Sequence, residues 1–209
     1  QAEDIGEDFK FSGLKYLEPP FWLTWISCMC TYIAIINSIV VGDSMLQKRF
    51  GFDEIVAGYL FTIPYIVAAV LSPILGYLVD KFGQRMTVTI TGSAIMIIAH
   101  VFQLLIVPLD CTLDSPCYIS VVPLILLGMS YTAYAVVLWG SLPYMVEART
   151  LGTAFGICTV FQNLGTAVAP PILGYIQNQT RETNDGYTYV EFFFIAISIL
   201  SFIAIMCAN

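Results

Sequence analysis

Two side-chain amides stand together inside a long apolar run: Gln162-Asn163, within 151–177. An amide removed from water needs a partner, whether another helix, a water or a ligand. Two roles therefore stay open for the pair. One is interhelical hydrogen bonding, worth roughly 1 kcal/mol per group in a membrane bundle; the other is contact with a polar ligand. Asn37 raises the same question in another apolar run. Tyr65, Tyr131, Tyr134 and Trp139 add flat faces with a hydroxyl or indole N–H, suited to lining a pocket and equally to packing. His100 stands alone in its run and reads as hydrogen-bonded packing rather than a proton relay. No His/Asp/Glu cluster and no nucleophile–base pair falls within the apolar runs, so the residues point to binding rather than enzymatic chemistry. Of six cysteines, Cys28 and Cys30 sit two apart and would not share a helix face, and no zinc spacing occurs. Neither a metal nor a cofactor is expected.

The elements that carry these residues follow from composition. Of 209 residues, 58% are hydrophobic and 11% charged, with a mean hydropathy of +0.81. Soluble domains carry about a quarter charged residues, so much of this surface faces lipid. Of the net charge of −7, −3 falls in the first twenty residues, where Glu3, Asp4, Glu7, Asp8 and Glu18 face Lys10 and Lys15, and the rest is spread over short loops. There is no basic patch for nucleic acid and no basic cluster for anionic lipid. The chain begins at Gln1 with no signal-peptide pattern before the first apolar run, which reads as a start inside a longer protein.

A bilayer core takes about 20 apolar residues per helix. Six segments meet this: 21–43, 54–80, 86–108, 118–146, 151–177 and 190–207. Asp43, Glu54, Asp80 and Glu191 fall at their ends, so no charge is expected deep in a span, where it would cost several kcal/mol. The reading is an all-α membrane protein, with residues 1–20 a cytosolic segment and 21–209 a six-helix domain. That sidedness puts Lys10, Lys15, Lys81, Arg85 and Arg149 on the cytosolic side against Lys48, Arg49 and Arg181 opposite, a weak positive-inside bias. Cys111 and Cys117 then flank a non-cytosolic loop, where a disulfide is expected if the compartment is oxidising. The sequon Asn178-Gln179-Thr180 falls on the same side, with Asn178 a candidate glycosylation site close to a helix end.

An internal repeat orders the six spans. Pro73-Ile74-Leu75-Gly76-Tyr77 recurs as Pro171-Ile172-Leu173-Gly174-Tyr175, and at the same offset Gly58 matches Gly156, Ala69 matches Ala167 and Val70 matches Val168. The copies lie in the second and fifth spans, which run in opposite directions. Such a 3+3 inverted repeat is typical of secondary transporters.

Gly76-Tyr77-Leu78-Val79-Asp80-Lys81-Phe82-Gly83-Gln84-Arg85 resembles the major facilitator superfamily signature G-x-L-x-D-x-x-G-R-R, departing from it at Gln84. Gly152-Thr153-Ala154-Phe155-Gly156, after Glu147 and Arg149, resembles that superfamily's connection between its tenth and eleventh helices. The resemblance covers the chain from about Pro20 onward. It implies helices seven to twelve of a twelve-helix fold, with an N-terminal six-helix half as partner and a central cavity faced by the first, second, fourth and fifth spans. On that implication Asn37, Tyr65, Tyr131, Tyr134, Trp139, Gln162 and Asn163 become substrate-binding candidates. Gly76, Asp80, Gly83 and Arg85 become a gating latch at the cytosolic face. Within the superfamily the resemblance is to lysosomal dipeptide carriers. It thereby implies dipeptide cargo, a lysosomal multi-pass membrane address and a glycosylated accessory membrane protein as a further partner. With no acid expected at mid-depth, coupling belongs to the other half or transport is passive, as in a uniporter. The alternative is a truncated, non-transporting isoform or scaffold of the same fold.

Overall fold

The computed structural model describes residues 19–208. The cytosolic segment expected over 1–20 therefore lies, up to residue 18, outside the described residues. Among the described residues there are six helical spans of membrane length. In hydrocarbon a backbone has no water to bond, so each span must satisfy its own N–H and C=O groups as helix.

The first span is α1 (Pro19–Lys48). The second is broken into α2 (Glu54–Phe61) and α3 (Ile63–Phe82). Asp53 caps α2 by accepting the Val56 N–H at 2.8 Å. The break falls where Pro64 cannot donate to the preceding turn; the Thr62 hydroxyl donates to the Tyr59 carbonyl at 2.7 Å and its N–H turns to the Leu60 and Tyr59 carbonyls. The third span is α4 (Arg85–Ile106). The fourth comprises a 3₁₀ turn (Tyr118–Ser120), α5 (Val121–Thr132), a wide π turn (Ala133–Leu138) and α6 (Trp139–Met145). The fifth is α7 (Leu151–Gln179) and the sixth is α8 (Tyr187–Ala208).

The expected spans are present with ends displaced by a few residues, and two displacements matter. Because α1 continues to Lys48, Asp43 lies more than a turn inside it, where Gln47 donates to its carboxylate at 3.1 Å. Because α8 starts at Tyr187, Glu191 also lies a turn inside and is buried, 1% exposed. The expectation that no acid enters a span is thus corrected. Its physical reason is also on view, since Glu191 is paired with His100 at 3.0 Å.

Packing follows the repeat. The main interfaces are first with fifth, first with sixth, second with fourth, third with fourth, and third with sixth. Exchanging spans one to three with four to six maps this set onto itself. The core lies between the first, third, fourth and sixth spans, around Ala34, Ile35, Ile39, Met96, Leu127 and Phe194. Close approach relies on glycine. A Cβ on Gly128 would sit 2.7 Å from the Pro64 carbonyl oxygen, and one on Gly92 2.6 Å from the Ala133 Cβ.

Candidate substrate site

The second and fifth spans are the uncovered ones. Only 17% of their most apolar stretches is buried, against 67% in the first span and 56% in the fourth. Matched positions of the repeat lie on this open side. Gly58, Tyr65 and Ala69 on the second span are exposed, as are Gly156, Asn163, Ala167 and Gly174 on the fifth. Their spacings of seven and four place each set on one helix face. A Cβ added at Gly58, Gly156 or Gly174 would meet nothing within 4 Å. In a membrane, exposed small residues in register let another helix approach closely.

Aromatic side chains from four spans meet beside that face. Tyr65 packs on Tyr131 with ring centroids 6.3 Å apart, and Tyr131 on Tyr32 at 6.2 Å, both edge-on. The Trp139 indole N–H donates to the Tyr32 hydroxyl at 3.0 Å. Trp139 also stacks on Phe155, with centroids 5.9 Å apart and planes at 11°. First, second, fourth and fifth spans each contribute, joined edge to edge and face to face in the geometries aromatic pairs favour. The π turn at Ala133–Leu138 separates Tyr131 from Trp139, and such turns often occur at functional sites. Gln162 lies seven residues beyond Phe155 on α7, hence on the same face, and is half-buried.

The expected site residues divide. Tyr65, Tyr131 and Trp139 belong to the aromatic run. Gln162 shares its face, and Asn163 is exposed one residue on, its amide donating to the Thr159 carbonyl at 2.9 Å. Tyr134 is placed otherwise. It is fully buried, and its hydroxyl meets Ser27 at 2.8 Å, Ser93 at 2.5 Å and Ser201 at 3.2 Å, tying four spans together inside the bundle. Asn37 is also buried, and its amide donates to the Ile33 carbonyl one turn back. The Tyr134 hydroxyl is thus engaged within the bundle, and Asn37 has one amide N–H bonded to its own helix. Sequence reading missed Tyr32 and Phe155. Phe155 carried a signal, the seven-residue spacing to Gln162; Tyr32 carried none, because only packing brings it under Trp139.

At the opposite end of the second span, Gly83 closes α3 with a left-handed φ of 75°, and its N–H bonds the Val79 carbonyl at 2.8 Å. Arg85 pairs with Asp80 itself at 3.0 Å and lies over the Tyr144 ring at 4.8 Å. The signature acid and base thus close the short turn on one another and hold it against the fourth span. Gly76 faces Val136 at ordinary van der Waals distance.

At the other end, Cys111 and Cys117 are joined by a disulfide, with Cα atoms 5.7 Å apart. Their loop packs on the α1–α2 turn, where the Cys117 N–H donates to the Phe50 carbonyl. Asn178 is exposed but sits within the last turn of α7, and the Thr180 hydroxyl is bonded back to Ile176. Among the described residues no group of His, Cys, Asp or Glu is arranged to hold a metal ion.

The six membrane-length spans among the described residues, in a symmetric pair of triplets with one side uncovered, define an all-α six-helix membrane domain. The Major Facilitator Superfamily profile matches residues 24–208, and the chain belongs to that superfamily. It is 32% identical over 201 residues to the lysosomal dipeptide transporter MFSD1 of Homo sapiens, 34% to that of Bos taurus and 31% to that of Danio rerio. Each alignment covers 96% of this chain and 40% of the relative, so the chain spans about two fifths of their length.

Proposed function

We propose that this chain is one six-helix half of an alternating-access carrier that moves dipeptides across the lysosomal membrane. The observation that carries the reading is the aromatic run Tyr65–Tyr131–Tyr32–Trp139–Phe155, drawn from four spans beside the uncovered face. Flat rings accept varied side chains, and the amides of Gln162 and Asn163 match the hydrogen-bonding pattern of a peptide unit. The N-terminal half is the partner that covers the second and fifth spans, settling on Gly58, Gly156 and Gly174. It supplies the countercharges a peptide's termini require. Cargo and organelle rest on the likeness to relatives named as lysosomal dipeptide transporters. Transport runs down the dipeptide gradient: the one buried carboxylate among the described residues, Glu191, is bonded to His100 and not part of the aromatic wall. The Asp80–Arg85 turn serves as a cytosolic latch between the second and fourth spans.

The test is labelled dipeptide uptake into proteoliposomes holding the complete carrier, with and without a pH gradient. Uptake lost in Trp139→Ala and Gln162→Ala, and indifferent to the gradient, supports a passive dipeptide carrier. Folded protein that takes up no dipeptide overturns the cargo and favours a non-transporting scaffold with the same fold.

A further inference from the structure

A buried acid–base pair lies away from the aromatic wall. His100 on α4 and Glu191 on α8 are each 1% exposed, with the imidazole Nδ1 3.0 Å from the carboxylate Oε2. They stand in the half of the bundle nearer the disulfide loop. An ionisable residue inside a membrane bundle is costly and marks function by default. Two further observations define the chemistry. His100 Nε2 is buried without a hydrogen-bond partner, and so is Oε1 of Gln103, one turn further along the same helix. Phe194 stacks on the imidazole at 5.0 Å, with planes at 28°.

We propose that His100, Glu191 and Gln103 form a proton-binding site in the membrane-embedded core. The Nδ1–H donates to the Glu191 carboxylate, which fixes the tautomer and leaves the lone pair on Nε2. A proton from the aqueous side forms a bond to that lone pair and nothing leaves. The imidazole becomes imidazolium, and the pair passes from one net negative charge to neutral. Gln103 Oε1, also buried without a partner and three residues along the same helix, turns to accept the new Nε2–H, while its amide donates to the Met45 sulfur at 3.9 Å. The Phe194 face stabilises the cation.

Among the described residues no other acidic or basic side chain is buried in this core. α1 presents Ile35 and Ile39 to it, and α5 presents Leu124 and Leu127. On α8 the neighbouring titratable group is Tyr187, whose hydroxyl meets Ser44 at 2.8 Å. Asp43 of α1 is partly exposed and bonded by Gln47, and Arg49 donates to the Val107 carbonyl beyond the helix end. Proton occupancy thus governs how well the third and sixth spans pack. With the proton bound the interface is neutral; without it, a buried carboxylate is held by a single neutral donor.

Thermal unfolding of the complete carrier in detergent, between about pH 5 and pH 8 where histidine titrates, reads this directly and does not depend on the cargo. The wild type is expected to melt higher at the acidic end. Glu191→Gln keeps an acceptor for Nδ1–H without the charge, and is expected to at least halve the melting difference between the two ends. His100→Gln is expected to do the same by removing the nitrogen that receives the proton. A Glu191→Gln profile superimposable on the wild type, in a protein that folds, overturns the proposal. So does a wild type that melts higher at the alkaline end. Should Glu191→Gln fail to fold, an unchanged profile in His100→Gln overturns it alone.

Discussion

Replacing Tyr134 by Phe separates two roles that its sequence position left open. The hydroxyl has three partners, Ser27, Ser93 and Ser201. Each partner keeps another bond after the loss: Ser27 with Ser201 at 2.9 Å, Ser93 with the Thr89 carbonyl at 3.0 Å, and Ser201 with Thr31 at 2.7 Å. No hydroxyl is orphaned, so the large penalty for a buried unsatisfied group does not apply. Side-chain hydrogen bonds between membrane helices average about 0.6 kcal/mol, so three sum to roughly 1–2 kcal/mol. The ring stays, so the hydrophobic contacts with Leu138 and Leu142 stay. The expected outcome is a carrier destabilised by that amount in thermal or denaturant unfolding, with the dipeptide KM changed by less than about twofold. A rise in KM of about tenfold, equivalent to some 1.4 kcal/mol of binding, with unfolding unchanged would refute the reasoning. It would place the Tyr134 hydroxyl on the ligand.

Trp139→Phe keeps a ring against Phe155 and loses the bond to Tyr32. At about 0.5–1.5 kcal/mol for that bond, uptake should show a KM raised roughly two- to tenfold. Gly128→Ala drives a methyl onto the Pro64 backbone, which no side-chain rotation relieves; the cost is about 1–3 kcal/mol, read by thermal melting. Gly156→Leu adds its side chain where a Cβ meets nothing within 4 Å. It should leave the melting of the six-helix half unaltered while weakening its co-purification with an N-terminal half. Cys117→Ser opens a loop closed across a separation of six residues; loop-closure entropy sets the loss at about 2 kcal/mol, visible as a lower melting temperature that reducing agent reproduces in the wild type. Asp80→Asn breaks an exposed pair, so stability should move by less than about 1 kcal/mol, while the maximal uptake rate falls if the turn is a latch.

The number and order of the spans were legible in the sequence, because lipid demands about 20 apolar residues per crossing and leaves the backbone only helix. The repeat at an offset of 98 residues was legible too, since 73–77 and 171–175 are identical, and so was the signature turn with its glycine at positive φ. Side-chain roles within the spans were not. In an aqueous protein, polarity sorts inside from outside; in lipid both are apolar, so periodicity does not say which face of α1 or α5 turns inward. Tyr131 and Tyr134 are three residues apart, yet one joins the aromatic wall and the other ties the bundle, a choice made by Ser27, Ser93 and Ser201 on three other helices. Likewise His100 and Glu191, 91 positions apart, looked like a lone histidine and a terminal acid. Only the packing of α4 on α8 makes them a pair, because a buried charge is tolerated where a partner from another helix meets it.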